Sequence, residues 1–111
     1  MSFTTHAYDD VAVIEIGGRF DAQTAPQVAE WLEQIAATTP GRVVVDLTDA
    51  SFLDSSALAV LVRAVKRCRM RGGDVRLCGV QPSVRLIFEL TRLDRVFDMF
   101  VDADEAVRSF R

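Results

Sequence analysis

Val11, Val13, Ile14 and Ile16 stand in an otherwise polar setting, and this near-alternation predicts a strand, with a weaker one over Phe3 to Tyr8 before it. Asp9-Asp10 between them reads as a hairpin turn. Thr24-Ala25-Pro26-Gln27 has capping-box spacing with proline in the first turn. Val28, Ala29, Leu32, Ile35 and Ala36 then recur at helical intervals, so a helix is predicted that ends before Pro40-Gly41. Val43-Val44-Val45-Asp46-Leu47 is apolar without alternation, as expected of a central strand covered on both faces. After a predicted loop over Thr48 to Leu53, a second helix from Ser55 to Arg71 turns Leu58, Leu61, Val62, Val65 and Cys68 inward and Arg63, Lys66, Arg67 and Arg71 outward. Gly72-Gly73 stops it. Val75 to Val80 is a second inner strand, and Pro82 opens a third helix with Val84, Leu86, Ile87 and Leu90 as its apolar positions. Val96 to Phe100 reads as a short last strand, and Asp102 to Glu105 offers a cap for a terminal helix whose apolar side is Ala106, Val107 and Phe110.

The resulting order is ββαβαβαβα. Strands joined through helices run parallel with right-handed crossovers, so the pattern predicts an α/β fold with a mixed sheet: an antiparallel N-terminal hairpin, then parallel strands with helices packed on the sheet. At 111 residues, 50% of them hydrophobic, the chain is sized for one domain spanning 1–111 with its own core. The longest apolar run, Ala57 to Val62, is six residues against the roughly 20 needed to cross a bilayer, so no membrane insertion is expected. The opening Met1 to His6 lacks a basic segment followed by an apolar one, which points to a cytoplasmic address. Cys68 and Cys78 are ten apart in apolar surroundings, a spacing that fits neither a redox pair nor half a zinc site, so both are expected as buried free thiols in a reducing compartment.

The net charge of −3 conceals an uneven distribution. Residues 1–54 hold nine acids and two bases; residues 55–111 hold eleven bases and seven acids, and the stretch 55–73 has five bases and no acid. A basic face of this kind suits either a solvated helix or nucleic acid. The pI near 5.0 and the lack of interleaved aromatics favour the solvated face, so no nucleic-acid partner is expected.

Catalytic apparatus is sparse. His6 is the sole histidine and sits in the first strand, which leaves little from which to build a Ser-His-Asp or Cys-His arrangement. Gly17-Gly18 and Gly72-Gly73 are isolated pairs and form no phosphate-binding loop. Asp46, Asp49 and Asp54 flank one strand-to-helix loop, but the even spacing of a calcium site is missing. No enzyme activity, metal or other cofactor is therefore expected.

The informative segment runs from Asp46 to Val60. A buried strand ends, the loop passes through Phe52 and Leu53, and a helix begins around Asp54-Ser55-Ser56. Ligand sites of open α/β sheets favour this end of the strands. Asp or Ser here can also be an ordinary cap that satisfies free backbone N–H groups. Two adjacent hydroxyls at a helix N-terminus make a physically reasonable switch as well, because the N–H groups and helix dipole tolerate a phosphate. Phosphorylation there would add about −1.5 to −2 charges beside Asp54.

Gly18-Arg19-Phe20-Asp21, Val43 to Leu47, Phe52-Leu53-Asp54-Ser55-Ser56-Ala57-Leu58, Leu90 to Phe97 and Asp104-Glu105-Ala106 together resemble the STAS domain family of sulphate-transporter and anti-sigma-factor-antagonist domains. The resemblance covers nearly the whole chain and implies a STAS-like sheet. In the standalone bacterial members, the unphosphorylated domain binds an anti-sigma factor, which is commonly also the serine kinase, and a phosphatase restores binding after phosphorylation. The resemblance puts the modified hydroxyl at Ser56, with Ser55 the second choice, and the partner surface at Asp21, Asp54, Ser55, Ser56, Ala57 and Leu58. Two other roles are compatible with the fold: an accessory subunit of a transporter ATPase, and a small-molecule or nucleotide sensor with its ligand at the 48–56 loop. Ala57 and Arg92 stand where the family usually has glycine. Ala57 suits a helical backbone but adds a methyl beside the candidate hydroxyl, and Arg92 implies a different turn after the third helix.

Overall fold

Ten consecutive residues, Val11–Phe20, form the longest strand of the computed structural model, β2, and three other strands hydrogen-bond to it. The structure describes residues 2–38 and 40–111. β1 (Ser2–Tyr8) pairs antiparallel with β2 through the Asp9-Asp10 turn. Helix α1 (Ala25–Thr38) leads to β3 (Arg42–Asp46), which runs parallel to the first half of β2 with Val11 opposite Arg42. The chain then pairs with β2 a second time: Ala50–Leu53 is a strand, β4, parallel to Gly18–Phe20. Helix α2 (Ser55–Met70), β5 (Asp74–Cys78), helix α3 (Pro82–Leu90), a 3-10 turn at Leu93–Arg95, β6 (Met99–Phe100) and helix α4 (Ala103–Arg108) complete the order. The sheet reads β1-β2-β3-β5-β6, with β4 attached to β2 alone.

The mixed α/β architecture agrees with the sequence pattern, but the expected loop over 48–53 contains β4, so the order is ββαββαβαβα. Ala50-Ser51-Phe52-Leu53 is short and lacks β-branched residues, and only its partner makes it a strand. Gly18 (φ +79°) faces Ala50 while Arg19 faces Phe52, which leaves Ser51 as the extra residue of a bulge.

β3 explains its unbroken valine run. Val43 and Val45 join Ile14, Ile16, Val75 and Leu77 in the core under α1 and α2, whereas Val44 packs with Val11, Val13 and Cys78 beneath Ala106 and Val107 of α4. Cys68 and Cys78 are free and fully buried. Burial, reinforced by the nearby Asp46 carboxylate, pushes the Cys78 thiol up to about 12.

Three local expectations change. In α3 the inward positions are Val84 and Phe88, not Leu86 and Leu90, which are 53% and 76% exposed. Phe88 takes the helix's inward face because it meets Phe97 edge-on at 5.8 Å, a contact worth about 0.5–1.5 kcal/mol beyond the area both rings bury. Val62 of α2 is half-buried, and Val60 and Ala64 face the core beside Leu61 and Val65. Thr24 does not reach forward to Gln27; its hydroxyl accepts from the Asp21 N–H at 2.9 Å and folds the chain back before α1.

Arg92, expected to mark a different turn, has φ +62°, the left-handed conformation that glycine adopts without strain. The side chain strains this turn. Arg92→Gly removes that strain but loosens the unfolded chain, so it should stabilise the protein by about 0.5–1 kcal/mol. Urea unfolding checks this: a midpoint that falls, with unchanged slope, contradicts the strain.

Candidate modification and partner-binding site

The chain leaves β3 into a turn that is fastened from several sides. Asp46 Oδ1 accepts from Thr48 N–H at 3.0 Å and from its hydroxyl at 2.5 Å. Gln81 Nε2 donates to the Thr48 carbonyl at 2.8 Å, and Gly18 N–H donates to the Asp49 carbonyl at 2.9 Å. Gly79 (φ +66°) packs so closely against this turn that a β-carbon would stand 2.1 Å from Thr48 Oγ1. The Thr48 hydroxyl is already committed to Asp46, so only glycine fits. These bonds fix where β4 begins and, five residues later, where α2 begins.

Asp54 is the N-cap of α2. Its Oδ1 accepts from Ala57 N–H at 3.0 Å, as a helix-initiating aspartate does. Its Oδ2 reaches across to the β2–α1 loop and accepts from Ala22 N–H at 3.1 Å. Both carboxylate oxygens are thus engaged, and one side chain joins two loops that are 32 residues apart in sequence. The Asp54 N–H adds a third tie by donating to the Phe20 carbonyl at 3.3 Å. Within the β2–α1 loop, Asp21 Oδ1 accepts from Gln23 N–H at 3.1 Å, and the Asp21 carbonyl receives Ala25 N–H at 2.7 Å.

This clasp brings Asp21, Asp54, Ser55 and Ser56 into one region. Ser55 is exposed and Ser56 half-buried, and among the described residues neither hydroxyl makes a hydrogen bond. The first-turn N–H groups of Ser55 and Ser56 have no acceptor within the helix, and the dipole adds a partial positive charge there. The arrangement can therefore accept an anionic group on either hydroxyl without rebuilding the helix.

Ala57 and Leu58 do not belong to that surface. Ala57 is 0% exposed and Leu58 9%, and both pack into the main core, so their side chains chiefly support the turn from inside. The Ala57 backbone is helical, where alanine is favoured over glycine by up to about 1 kcal/mol. Its methyl points inward, away from any group approaching Ser56.

Among the described residues, Asp46, Asp49 and Asp54 are not gathered into a cluster of the kind that could hold a metal ion; Asp46 accepts from Thr48, and Asp54 from Ala57 and Ala22. His6 lies on β1, where it pairs with Glu15 at 3.4 Å, and is no neighbour of the serines in the chain's topology.

Arg19 and Phe52, outside the expected site residues, border this region. Their register across β2 and β4 stacks the Arg19 guanidinium 4.1 Å above the Phe52 ring, and Arg19 Nε lies 3.8 Å from Asp21 Oδ2. This exposed cation on a half-buried ring is worth about 0.5–1 kcal/mol and borders the acidic loop. Recognising 50–53 as a strand is the signal that would have paired them.

Comparison with known proteins agrees with this architecture. The STAS domain profile matches residues 2–106, and the chain belongs to that family. An anti-sigma-B factor antagonist of Listeria monocytogenes is 35% identical over 86 residues, which span 78% of this chain and 75% of that protein. The crystal structure of an anti-sigma factor antagonist from Mycobacterium paratuberculosis superposes with a TM-score of 0.85 at 28% identity, covering 97% of this chain and 93% of that one. The phosphorylated form of the Bacillus cell fate determinant SpoIIAA, 18% identical, has the same fold, with a TM-score of 0.80 over 99% of this chain and 100% of its own.

The double engagement of Asp54 predicts a measurable cost. Asp54→Ala should destabilise the protein by about 1–2 kcal/mol, the range for loss of a helix cap. Asp54→Asn keeps an acceptor for Ala57 and should cost less. Chemical denaturation orders the variants, and equal stability of Asp54→Ala and the parent would contradict the clasp.

Proposed function

We propose that this protein is an anti-sigma factor antagonist controlled by phosphorylation of Ser56. In the unphosphorylated state it binds an anti-sigma factor in the cytoplasm through the surface around Asp21, Asp54, Ser55 and Ser56. The observation that carries this reading is the start of α2: two serine hydroxyls free of hydrogen bonds among the described residues, at a helix N-terminus clasped by Asp54 to the loop that holds Asp21. The Listeria monocytogenes and Mycobacterium paratuberculosis relatives, named as antagonists of anti-sigma factors, support the same partner class.

Phosphorylation at Ser56 adds about −1.5 to −2 charges at the helix N-terminus that Asp54 caps. The helix N-terminus offsets part of that charge, so the fold tolerates it. A partner fitted to neutral hydroxyls does not, because it must now desolvate a dianion without a matching cation. Release follows from a change of local potential, with no rearrangement of the backbone. On this reading the protein is the substrate of a serine kinase, which the anti-sigma factor itself can supply, and of a phosphatase. It performs no chemistry of its own.

Incubation with the cognate kinase and ATP should place one phosphate on Ser56, located by mass spectrometry of the digest, and Ser56→Ala should abolish it. Ser56→Asp should weaken binding of the anti-sigma factor by about tenfold, a change of about 1.4 kcal/mol, in a calorimetric titration. Phosphate on Ser55 or elsewhere would overturn the site, and undiminished affinity of Ser56→Asp would overturn the electrostatic mechanism.

A further inference from the structure

The two edges of the sheet are unlike. β6 offers only two residues, whereas β1 offers seven, Ser2-Phe3-Thr4-Thr5-His6-Ala7-Tyr8. Natural sheets guard long edges with lysine, proline, bulges, inward charges or a covering helix. β1 has no lysine, arginine, carboxylate or proline, its pairing with β2 is regular from Ser2 to Tyr8, and every residue but the half-buried Phe3 is exposed.

The helices also stop short of it. Between β1 and α1 lies a groove of about 500 Å³ whose lining includes Thr5, Ala7, Ala12, Trp31, Ile35 and Pro40. Phe3 packs against the core on this α1 face, so Thr5 and Ala7, at the same parity, face the same way.

The direction of the free backbone groups follows from the hairpin. A two-residue loop is closed by a hydrogen-bonded pair, here Tyr8 and Val11, so Tyr8, His6, Thr4 and Ser2 direct their N–H and C=O groups toward β2. Phe3, Thr5 and Ala7 direct theirs outward, to the unpaired edge.

We propose that this edge is a self-association surface, on which β1 of a second copy adds antiparallel with Thr5 on the two-fold axis. In that register Thr5 meets Thr5, and the bulky Phe3 of each copy meets the small Ala7 of the other. All three are residues with outward backbone groups, so the N–H and C=O of each find partners. The second copy's Phe3 arrives beside Ala7, at the groove under Trp31 and Ile35. The seam brings no two like charges together, and one sequence complements itself at both ends, which is what a closed two-fold interface requires. A strand of this length buries less than a standard interface, so the association is weak and depends on concentration. β1 carries none of Asp21, Asp54, Ser55 or Ser56, so pairing here uses none of those side chains.

Sedimentation equilibrium of the full chain up to roughly 1 mM, an affinity range in which weak complexes still form, should show a reversible monomer–dimer equilibrium. Thr5→Lys places two like charges at the axis on an exposed site; it should lower the association constant at least about tenfold with circular dichroism and melting unchanged. Thr5→Cys should oxidise to a covalent dimer, because the two Cα atoms of a hydrogen-bonded antiparallel pair stand about 5.5 Å apart, within disulfide range. Tyr8→Cys, roughly 20 Å from its counterpart in this register, should not. A monomer throughout the range, a Thr5→Lys protein that associates as well as the parent, or equal cross-linking of the two cysteine variants would each overturn the proposal.

Discussion

The fold depends on how β2 shares its backbone hydrogen bonds. One strand serves β1 on one stretch, β3 on its first half and β4 on its last three residues. Each of these pairings fixes something further along the chain. The β3 pairing sets the parallel core against which α1, α2 and α4 close. The β4 pairing then holds Leu53 level with Phe20, and from there α2 starts two residues later, after its cap Asp54 and next to the loop that leaves β2. The candidate site is thus positioned by the same strand that organises the sheet. Asp54 completes this with a single carboxylate that caps one element and holds the loop of another.

Legibility in the sequence followed the range of the forces involved. Val43 to Val45 announced a two-faced central strand because burial on both sides leaves no polar alternation, and α2 announced itself through a long helical period ended by Gly72-Gly73. Asp54 and Asp102 were readable as caps because a cap bond spans three residues. What escaped depends on contacts distant in sequence. β4 exists because Gly18–Phe20 is beside it, and the inward face of α3 is decided by Phe97, nine residues beyond Phe88. The clasp between Asp54 and Ala22 uses a backbone N–H, which no side-chain pattern can reveal. Ala57 and Leu58, named through family resemblance as partner contacts, turned out to be interior, since the first turn of α2 already points its third and fourth residues at the core.

The candidate site is a surface patch. Its parts are short polar side chains on two tied loops, edged by the Arg19–Phe52 stack. The charge of such a patch changes when one of its hydroxyls is modified. The strand-end turn that leads to it is held by Asp46, Thr48, Gln81 and Gly79, which lie outside the patch itself. The acidic first half of the sequence reaches the patch at Asp54, where the basic stretch of α2 begins.

The burial of the two cysteines separates one kind of signal from another. Cys68 lies inside α2 and Cys78 at the end of β5, both sealed from solvent, and the Cys78 thiol holds its proton up to about 12. A thiol that stays protonated and out of reach is a poor target for peroxide or for disulfide exchange. An oxidant that modifies exposed thiols therefore finds neither Cys68 nor Cys78 within reach while the fold stays closed.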